Sequence, residues 1–326
     1  MTNYINGPKI VVIGGGTGLS VLLKGLKKHT SNLTAIVTVS DDGGSSGRLR
    51  AELGVLPPGD IRNCLVALAE TETLMDKVFQ HRFIQEGSLK GHNLGNLLLV
   101  AMSEITGDFI SAIREVSKVL AVRGRVLPAT LEQVTLGAEM SDGTTIYGET
   151  AVREYDGKIE KVFLIPENCS PLPEALEALS EADAIVIGPG SLYTSIMPNL
   201  LVKEIKAGIA ASKAITFYVS NIMTELGETD NYTAADHLRT ILDHLGEQII
   251  DYIVVNSGHI DEHRLLRYEQ EKAKPVAVCH EEILSMDVDI IEADLLSDDS
   301  VAWHDSDKLA LAIIKVLENH LVRKDV

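Results

Sequence analysis

A doubly wound α/β fold with a mostly parallel sheet is predicted by three observations. Short β-branched apolar runs alternate with helical segments along most of the chain. Two of those runs end in glycine turns that open a helix, Gly14-Gly15-Gly16-Thr17-Gly18 and Gly188-Pro189-Gly190-Ser191. A third ends in an unusual polar loop, Asp41-Asp42-Gly43-Gly44-Ser45-Ser46-Gly47-Arg48. Open α/β sheets bind ligands outside the carboxyl ends of their strands, so all three loops are expected on the functional edge.

The first unit is the strand Ile10-Val11-Val12-Ile13, the glycine turn, and a helix carrying Leu19, Leu22, Leu23 and Leu26. Glycines let the backbone turn sharply and let a ligand approach it closely. Amide N–H groups at the helix start are unpaired and carry partial positive charge, which favours a phosphate. Gly15, Gly16, Thr17 and Gly18 are therefore candidate phosphate-binding residues. The match to a Rossmann fingerprint is imperfect, because Leu19 stands where the third glycine belongs. No Gly-Lys-Ser/Thr follows, so this is not a Walker P-loop.

The chain has 326 residues and a net charge of −18, with a pI of about 4.9. That balance argues against nucleic-acid and anionic-membrane partners. An anionic ligand must then be met by local donors. Hydrophobic content of 45% is normal for a globular domain. Three scattered cysteines, Cys64, Cys169 and Cys279, show no metal or disulfide spacing and suit a reducing compartment. No signal peptide and no bilayer-spanning run is visible, so a cytoplasmic location is expected.

The second strand covers Leu33–Val39 and feeds the polar loop. There an acid can hold a ribose hydroxyl, or Asp41 and Asp42 together can hold Mg²⁺ through its waters. Gly44, Ser45, Ser46 and Arg48 are candidates for a phosphate cradle. Next comes Pro57-Pro58-Gly59, a rigid turn, with Asp60 as an N-cap candidate and Arg62 and Asn63 beside the cleft or on the surface. A helical block runs to about Val122 and includes Gly91-His92-Asn93-Leu94-Gly95-Asn96. Asn96 sits in an apolar helix start, where a buried amide needs partners. Residues from about 124 to 166 read as short strands separated by turns, an antiparallel excursion that serves as a lid, in self-association or as plain architecture. The strand Ala184-Ile185-Val186-Ile187 then repeats the opening logic, with Gly190 and Ser191 at a helix start. Ile215–Val219 ends in a polar loop containing Asn221. Ile249–Val255 and Pro275–Val278 read as further strands, and Leu309–Leu317 as a closing helix. A single large α/β domain over residues 1–326 accommodates all of this.

Six stretches together carry a resemblance: the first glycine turn, Asp41–Arg48, Pro58–Asn63, Gly91–Asn96, Gly188–Tyr193 and Gly227-Glu228-Thr229-Asp230. The chain resembles the bacterial gluconeogenesis-factor proteins, relatives of archaeal 2-phospho-L-lactate transferase, over nearly its whole length. Asp-Asp-Gly-Gly-Ser-Ser-Gly-Arg is the most specific piece. The resemblance implies a Rossmann-like three-layer fold and a nucleoside-diphosphate ligand. In the transferase branch a phospholactyl group passes from a guanosine-diphosphate carrier to a deazaflavin alcohol with Mg²⁺. The bacterial branch is linked to cell shape during gluconeogenic growth, with a UDP-sugar as its ligand. The chain departs from the family pattern at Glu225 and Leu226, where related chains carry an amide and a small or turn residue. Three readings follow. The first is a regulatory UDP-sugar-binding protein. The second is a transferase-like enzyme with Mg²⁺, for which Asp41 and Asp42 are the candidate ligands. The third is an NAD(P)-dependent oxidoreductase, which the polar Asp41–Arg48 loop disfavours.

Overall fold

The computed structural model describes residues 7–70, 73–246, 248–269 and 272–324. β1 (Ile10–Gly14) leads into α1 (Gly16–Leu26), and β2 (Leu33–Val37) into α2 (Gly44–Leu53) and α3 (Gly59–Leu68). α4 (Thr73–Gln80), α5 (Leu94–Thr106) and α6 (Phe109–Val119) follow, and β3 (Arg125–Pro128) closes this half. The excursion comprises β4 (Thr135–Met140), β5 (Thr145–Tyr147), α7 (Glu149–Glu154) and β6 (Ile159–Ile165). α8 (Pro173–Glu181) and β7 (Ala184–Ile187) then return to the main sheet. A π-helical turn (Leu192–Ile196), α9 (Met197–Leu200) and α10 (Lys203–Ala211) lead to β8 (Ile215–Val219) and α11 (Ala234–Leu245). β9 (Tyr252–Asn256), α12 (Glu262–Glu269), α13 (His280–Ser285), β10 (Asp289–Ala293) and α14 (Ser306–Lys324) complete the order.

The seven-stranded sheet runs β10-β9-β8-β7-β1-β2-β3, with every neighbouring pair parallel. β1, β2, β7 and β8 are buried at every position. Helices cover both faces of such a sheet, so its strands read as continuous apolar runs without alternation. From β1 the chain walks outward to β3. From β7 it walks the other way to β10. The order therefore reverses between β1 and β7, and a crevice opens there at the carboxyl edge.

Two elements differ from the sequence expectation. Arg125–Pro128 belongs to the main sheet, where Val126 pairs with Ala35 and Leu127 with Ile36. The antiparallel sheet β5-β4-β6 thus begins only at Thr135. Pro275 makes an isolated bridge to Met223 and no strand. The edge strand is Asp289–Ala293 instead, and its exposed Asp289 and Glu292 obscure it as an apolar run. Among the described residues no single helix is long and apolar enough to cross a membrane.

The excursion is strapped to the main body by side-chain contacts, among them the following. Asp42 Oδ1 accepts from Thr150 N at 2.9 Å and from Thr150 Oγ1 at 2.8 Å, at the start of α7. Arg153 Nε lies 3.6 Å from Glu228 Oε1. Val162 N donates to His244 Nε2 of α11 at 3.2 Å.

Candidate nucleotide-binding cleft

The turns after β1 and β7 meet backbone to backbone. A Cβ on Gly18 would stand 2.7 Å from the Pro189 carbonyl oxygen, so only glycine lets α1 start against the second turn. Gly16 has φ +66°, the left-handed region that glycine adopts without penalty. Asn199, fully buried in α9, joins the two turns by donating to Gly14 O at 3.1 Å and Ser195 O at 2.9 Å. Asp60 is in the first turn of α3, where Pro58 takes the N-cap position, and its carboxylate accepts the Gly16 N–H. Thr17 and Gly18 N–H remain as first-turn donors without intrahelical partners.

The loop after β8 forms the facing wall. Glu225 accepts from Asn221 Nδ2 at 3.0 Å and from the Ser191 hydroxyl. Burial raises its pKa, which the Ser191 hydrogen bond and Arg153 oppose. Glu228 accepts from Tyr193 N at 3.2 Å and Thr194 Oγ1 at 3.0 Å. Burial and the Glu225 charge push Glu228 up to about 7. Glu225, the departure noted in the sequence, is thus the acceptor that holds Ser191 and Asn221 in place.

These residues line a cavity of about 530 Å³ at the switch point. Of the sequence candidates it is lined by Gly15, Gly16, Thr17, Gly18, Gly190, Ser191 and Asn221. Arg153, Glu225, Tyr268, Trp303 and His304 join them, and sequence reasoning did not select these. Arg153 is the one cationic side chain on the lining among the described residues. Tyr268 and Trp303 arrive from α12 and from the loop before α14. Trp303 is 51% exposed, a flat ring on the rim. His304 donates to the Ser220 carbonyl, and burial lowers its pKa to about 4, so the imidazole is neutral at pH 7.

Asp41, Asp42, Gly44, Ser45, Ser46, Arg48, Asn63 and Asn96 do not line this cavity. Several polar groups of the Asp41–Arg48 loop bond the protein itself. Asp41 Oδ1 accepts from Gly43 N at 2.8 Å, and Asp42 anchors α7. Ser45 Oγ accepts from Asn93 N at 3.1 Å, Ser46 Oγ from Gly59 N at 3.1 Å, and Arg48 donates to Lys90 O at 2.8 Å. Asn63 Oδ1 takes Arg62 Nη2, and Asn96 N bonds the Asn93 side chain that caps α5. Among the described residues no three His, Cys, Asp or Glu side chains converge as a metal site. Asp41 and Asp42 each engage one carboxylate oxygen with a different partner, Gly43 and Thr150.

Carboxylates crowd behind the glycine turns nonetheless. Burial, with the charges of Asp41, Asp60, Glu228 and Asp42 adding, raises Glu149 to about 9. Asp60 is raised to about 6, by burial first and then Asp41. A carboxyl whose folded pKa exceeds its unfolded value takes up a proton on folding, so stability falls as pH rises between those two values. For Glu149 that window runs from about 4.5 to about 9. Each such group contributes a slope of at most about 1.4 kcal/mol per pH unit. Glu149→Gln is therefore expected to be more stable than wild type at pH 8.5 by about 2 kcal/mol or more, with the gap closing toward pH 5. Urea unfolding at the two pH values measures this. An equal difference at both would remove the buried-acid account.

Residues 10–296 match the family model described as 2-phospho-L-lactate transferase CofD. The chain belongs to the CofD family, in its gluconeogenesis-factor branch. It is 51% identical over 312 residues to the gluconeogenesis factor of Bacillus subtilis, covering 95% of this chain and 98% of that one. It is 45% identical over 319 residues to the gluconeogenesis factor of Listeria monocytogenes, covering 98% of each. A crystal structure of a UPF0052 family member from Bacillus halodurans superposes with a TM-score of 0.92 at 51% identity. That match covers 95% of this chain and 100% of the other. The Rossmann-like fold and the family expected from the sequence both stand.

Proposed function

We propose that the cleft binds a nucleoside-diphosphate sugar, with UDP-sugars as its natural ligands, and that the protein acts as a regulatory binder. One observation carries the reading: a cavity of about 530 Å³ joins two glycine turns at the sheet's switch point. Its volume lies within the usual range for ligand sites. The diphosphate sits on the first turn of α1, where amide donors and the helix dipole favour negative charge. Arg153 reaches the same anion from the excursion. Glu225 and Asn221 meet sugar hydroxyls, and Trp303 and Tyr268 stack on the base. The uridine assignment rests on the resemblance to the gluconeogenesis-factor branch. So does the physiological role, in cell shape during growth on gluconeogenic carbon.

The geometry supports this reading over the two alternatives. Adenine-ribose recognition in a dinucleotide fold uses an acid after the second strand, and here Asp41 and Asp42 bond Gly43 and Thr150. A transferase needs a group poised on the reacting atoms. Glu225 and Glu228 in the cleft wall are tied to Ser191, Asn221, Tyr193 and Thr194. Thermal unfolding with UDP-N-acetylglucosamine, UDP-glucose, GDP and NAD, each with Mg²⁺ and with EDTA, tests the proposal. A ligand at a hundredfold its dissociation constant stabilises by about 2.7 kcal/mol, so the UDP-sugars should give a clear shift. Trp303→Ala should weaken UDP-N-acetylglucosamine binding by about tenfold, one stacking interaction's share. A shift with NAD or GDP alone would overturn the assignment.

A further inference from the structure

The cation on the cleft wall, Arg153, already has a partner. Its backbone is seated by a close approach. Gly227 has φ +81°, and a Cβ there would stand 2.5 Å from the Arg153 carbonyl oxygen, so α7 ends against the loop after β8. The guanidinium meets Glu228 Oε1 through Nε at 3.6 Å, which leaves the Nη edge of the fork for another anion. The Arg153 side chain is 58% exposed and that of Glu228 1%. Oε1 also accepts from Thr194 Oγ1, and Oε2 from Tyr193 N. The other ionisable groups that face Glu228 are acids: Glu225 in its own loop, Glu149 from α7 and the Tyr193 phenol from the π-helical turn. Arg153 is thus the cation that opposes them. On the facing wall Asp60 takes the Gly16 N–H. The Thr17 and Gly18 amides that remain suit one phosphate group, and a second phosphate needs Arg153.

We propose that Arg153 is the specificity-determining residue for the ligand's second phosphate, and that it changes partner on binding: the guanidinium passes to the diphosphate, and Glu228 takes up a proton from solvent in its place. This rests on the reading of the cleft as a nucleotide site. A buried carboxylate that loses its cation beside a second carboxylate and an incoming anion is held in its protonated form. The proton goes onto Oε1, the oxygen that faced Arg153. The new O–H donates to Thr194 Oγ1, a hydroxyl that turns from donor to acceptor by rotation. Oε2 keeps its bond from Tyr193 N. A nucleoside monophosphate sits on α1 alone, leaves Arg153 on Glu228 and takes up no proton.

Glu228 lies at about 7 in the empty cleft, raised by burial and the Glu225 charge, so at pH 8 it is mostly ionised before binding. Calorimetry of the full chain at pH 8, in two buffers of different ionisation enthalpy, counts the protons taken up with UDP-N-acetylglucosamine and with UMP. A phosphate monoester has its second pKa at about 6, and the diphosphate diester has no proton to exchange near neutrality. UDP-N-acetylglucosamine should take up about half a proton or more, UMP none, and affinity for the first should fall as pH rises above 7. Arg153→Gln should lose about tenfold or more for UDP-N-acetylglucosamine, the share of one charge-assisted hydrogen bond, and leave UMP affinity unchanged. Glu228→Gln should bind UDP-N-acetylglucosamine without proton uptake. Uptake that persists in Glu228→Gln would place the proton on another acid, and an equal loss of both ligands in Arg153→Gln would make Arg153 a general attractor of anions; either overturns the proposal. Where Glu228→Gln fails to fold, the proton count on wild type and the two affinities of Arg153→Gln decide. Wild-type binding of UDP-N-acetylglucosamine without proton uptake overturns this inference alone, and no binding at all overturns the nucleotide reading beneath it.

Discussion

Thr17→Glu is expected to weaken the proposed UDP-sugar binding by two to three orders of magnitude and to leave the fold intact. Thr17 is exposed in the first turn of α1 and lines the cleft. A carboxylate in a helix's first turn is favoured by the macrodipole by about 0.3–1 kcal/mol, so α1 itself gains. The same carboxylate stands where the diphosphate oxygens must lie. Two unit charges about 4 Å apart near a protein surface repel by roughly 4 kcal/mol, and each tenfold in affinity is about 1.4 kcal/mol. A loss of two to three orders of magnitude is therefore expected for UDP-N-acetylglucosamine by calorimetry. Thr17→Gln, neutral and of similar size to the glutamate variant, should stay within tenfold of wild type. That pair separates charge from bulk. Wild-type affinity in Thr17→Glu would move the diphosphate off α1.

The fold and half of the cleft were legible because their signals are local. Buried parallel strands read as apolar runs, and a strand ending in glycines that open a helix needs no partner to be recognised. Gly14–Gly18 and Gly188–Ser191 carried the same signal, and the structure makes their strands neighbours. The Asp41–Arg48 loop was legible as special, but its structural bonds within the chain were not. Asp and Ser are as well suited to capping turns and docking helices as to holding a ligand, and here Asp42, Ser45 and Ser46 do the former. Tyr268 and Trp303 could not be placed, because each comes alone from a distant segment without a motif. The one signal was that Trp303 is the single tryptophan of the chain. Arg153 was hidden for another reason. Its helix sits in an excursion whose docking depends on Asp42 and Glu228, contacts far apart in sequence.

Gly47→Ala is expected to cost about 3 kcal/mol or more and to weaken the cleft's ligand as well. Gly47 lies in α2, and its φ is not left-handed, so the reason for glycine there is space. A Cβ would stand 1.8 Å from the Asp42 carbonyl oxygen and 2.3 Å from its carbon. Both are backbone atoms, so no side chain can swing aside. Relief requires moving the Asp42 peptide, and that peptide is pinned. Asp42's carboxylate holds Thr150 at the start of α7, and Asp41 Oδ1 holds Gly43 N. Ser46 Oγ, one residue before the substitution, holds Gly59 N at the start of α3. The strain therefore reaches α7 and with it Arg153, the cation on the cleft wall. Overpacking typically costs 1–3 kcal/mol and more where backbone must move. Gly44→Ala is the control. Its φ is +49° and its Cβ meets nothing within 4 Å, so only the left-handed penalty of roughly 1–2 kcal/mol applies. Urea unfolding of both variants, with UDP-N-acetylglucosamine titrated into whatever fraction of Gly47→Ala remains folded, measures the difference. Gly47→Ala as stable as Gly44→Ala would mean that the Asp42 peptide yields freely. The loop would then not be the brace that holds the excursion against the cleft.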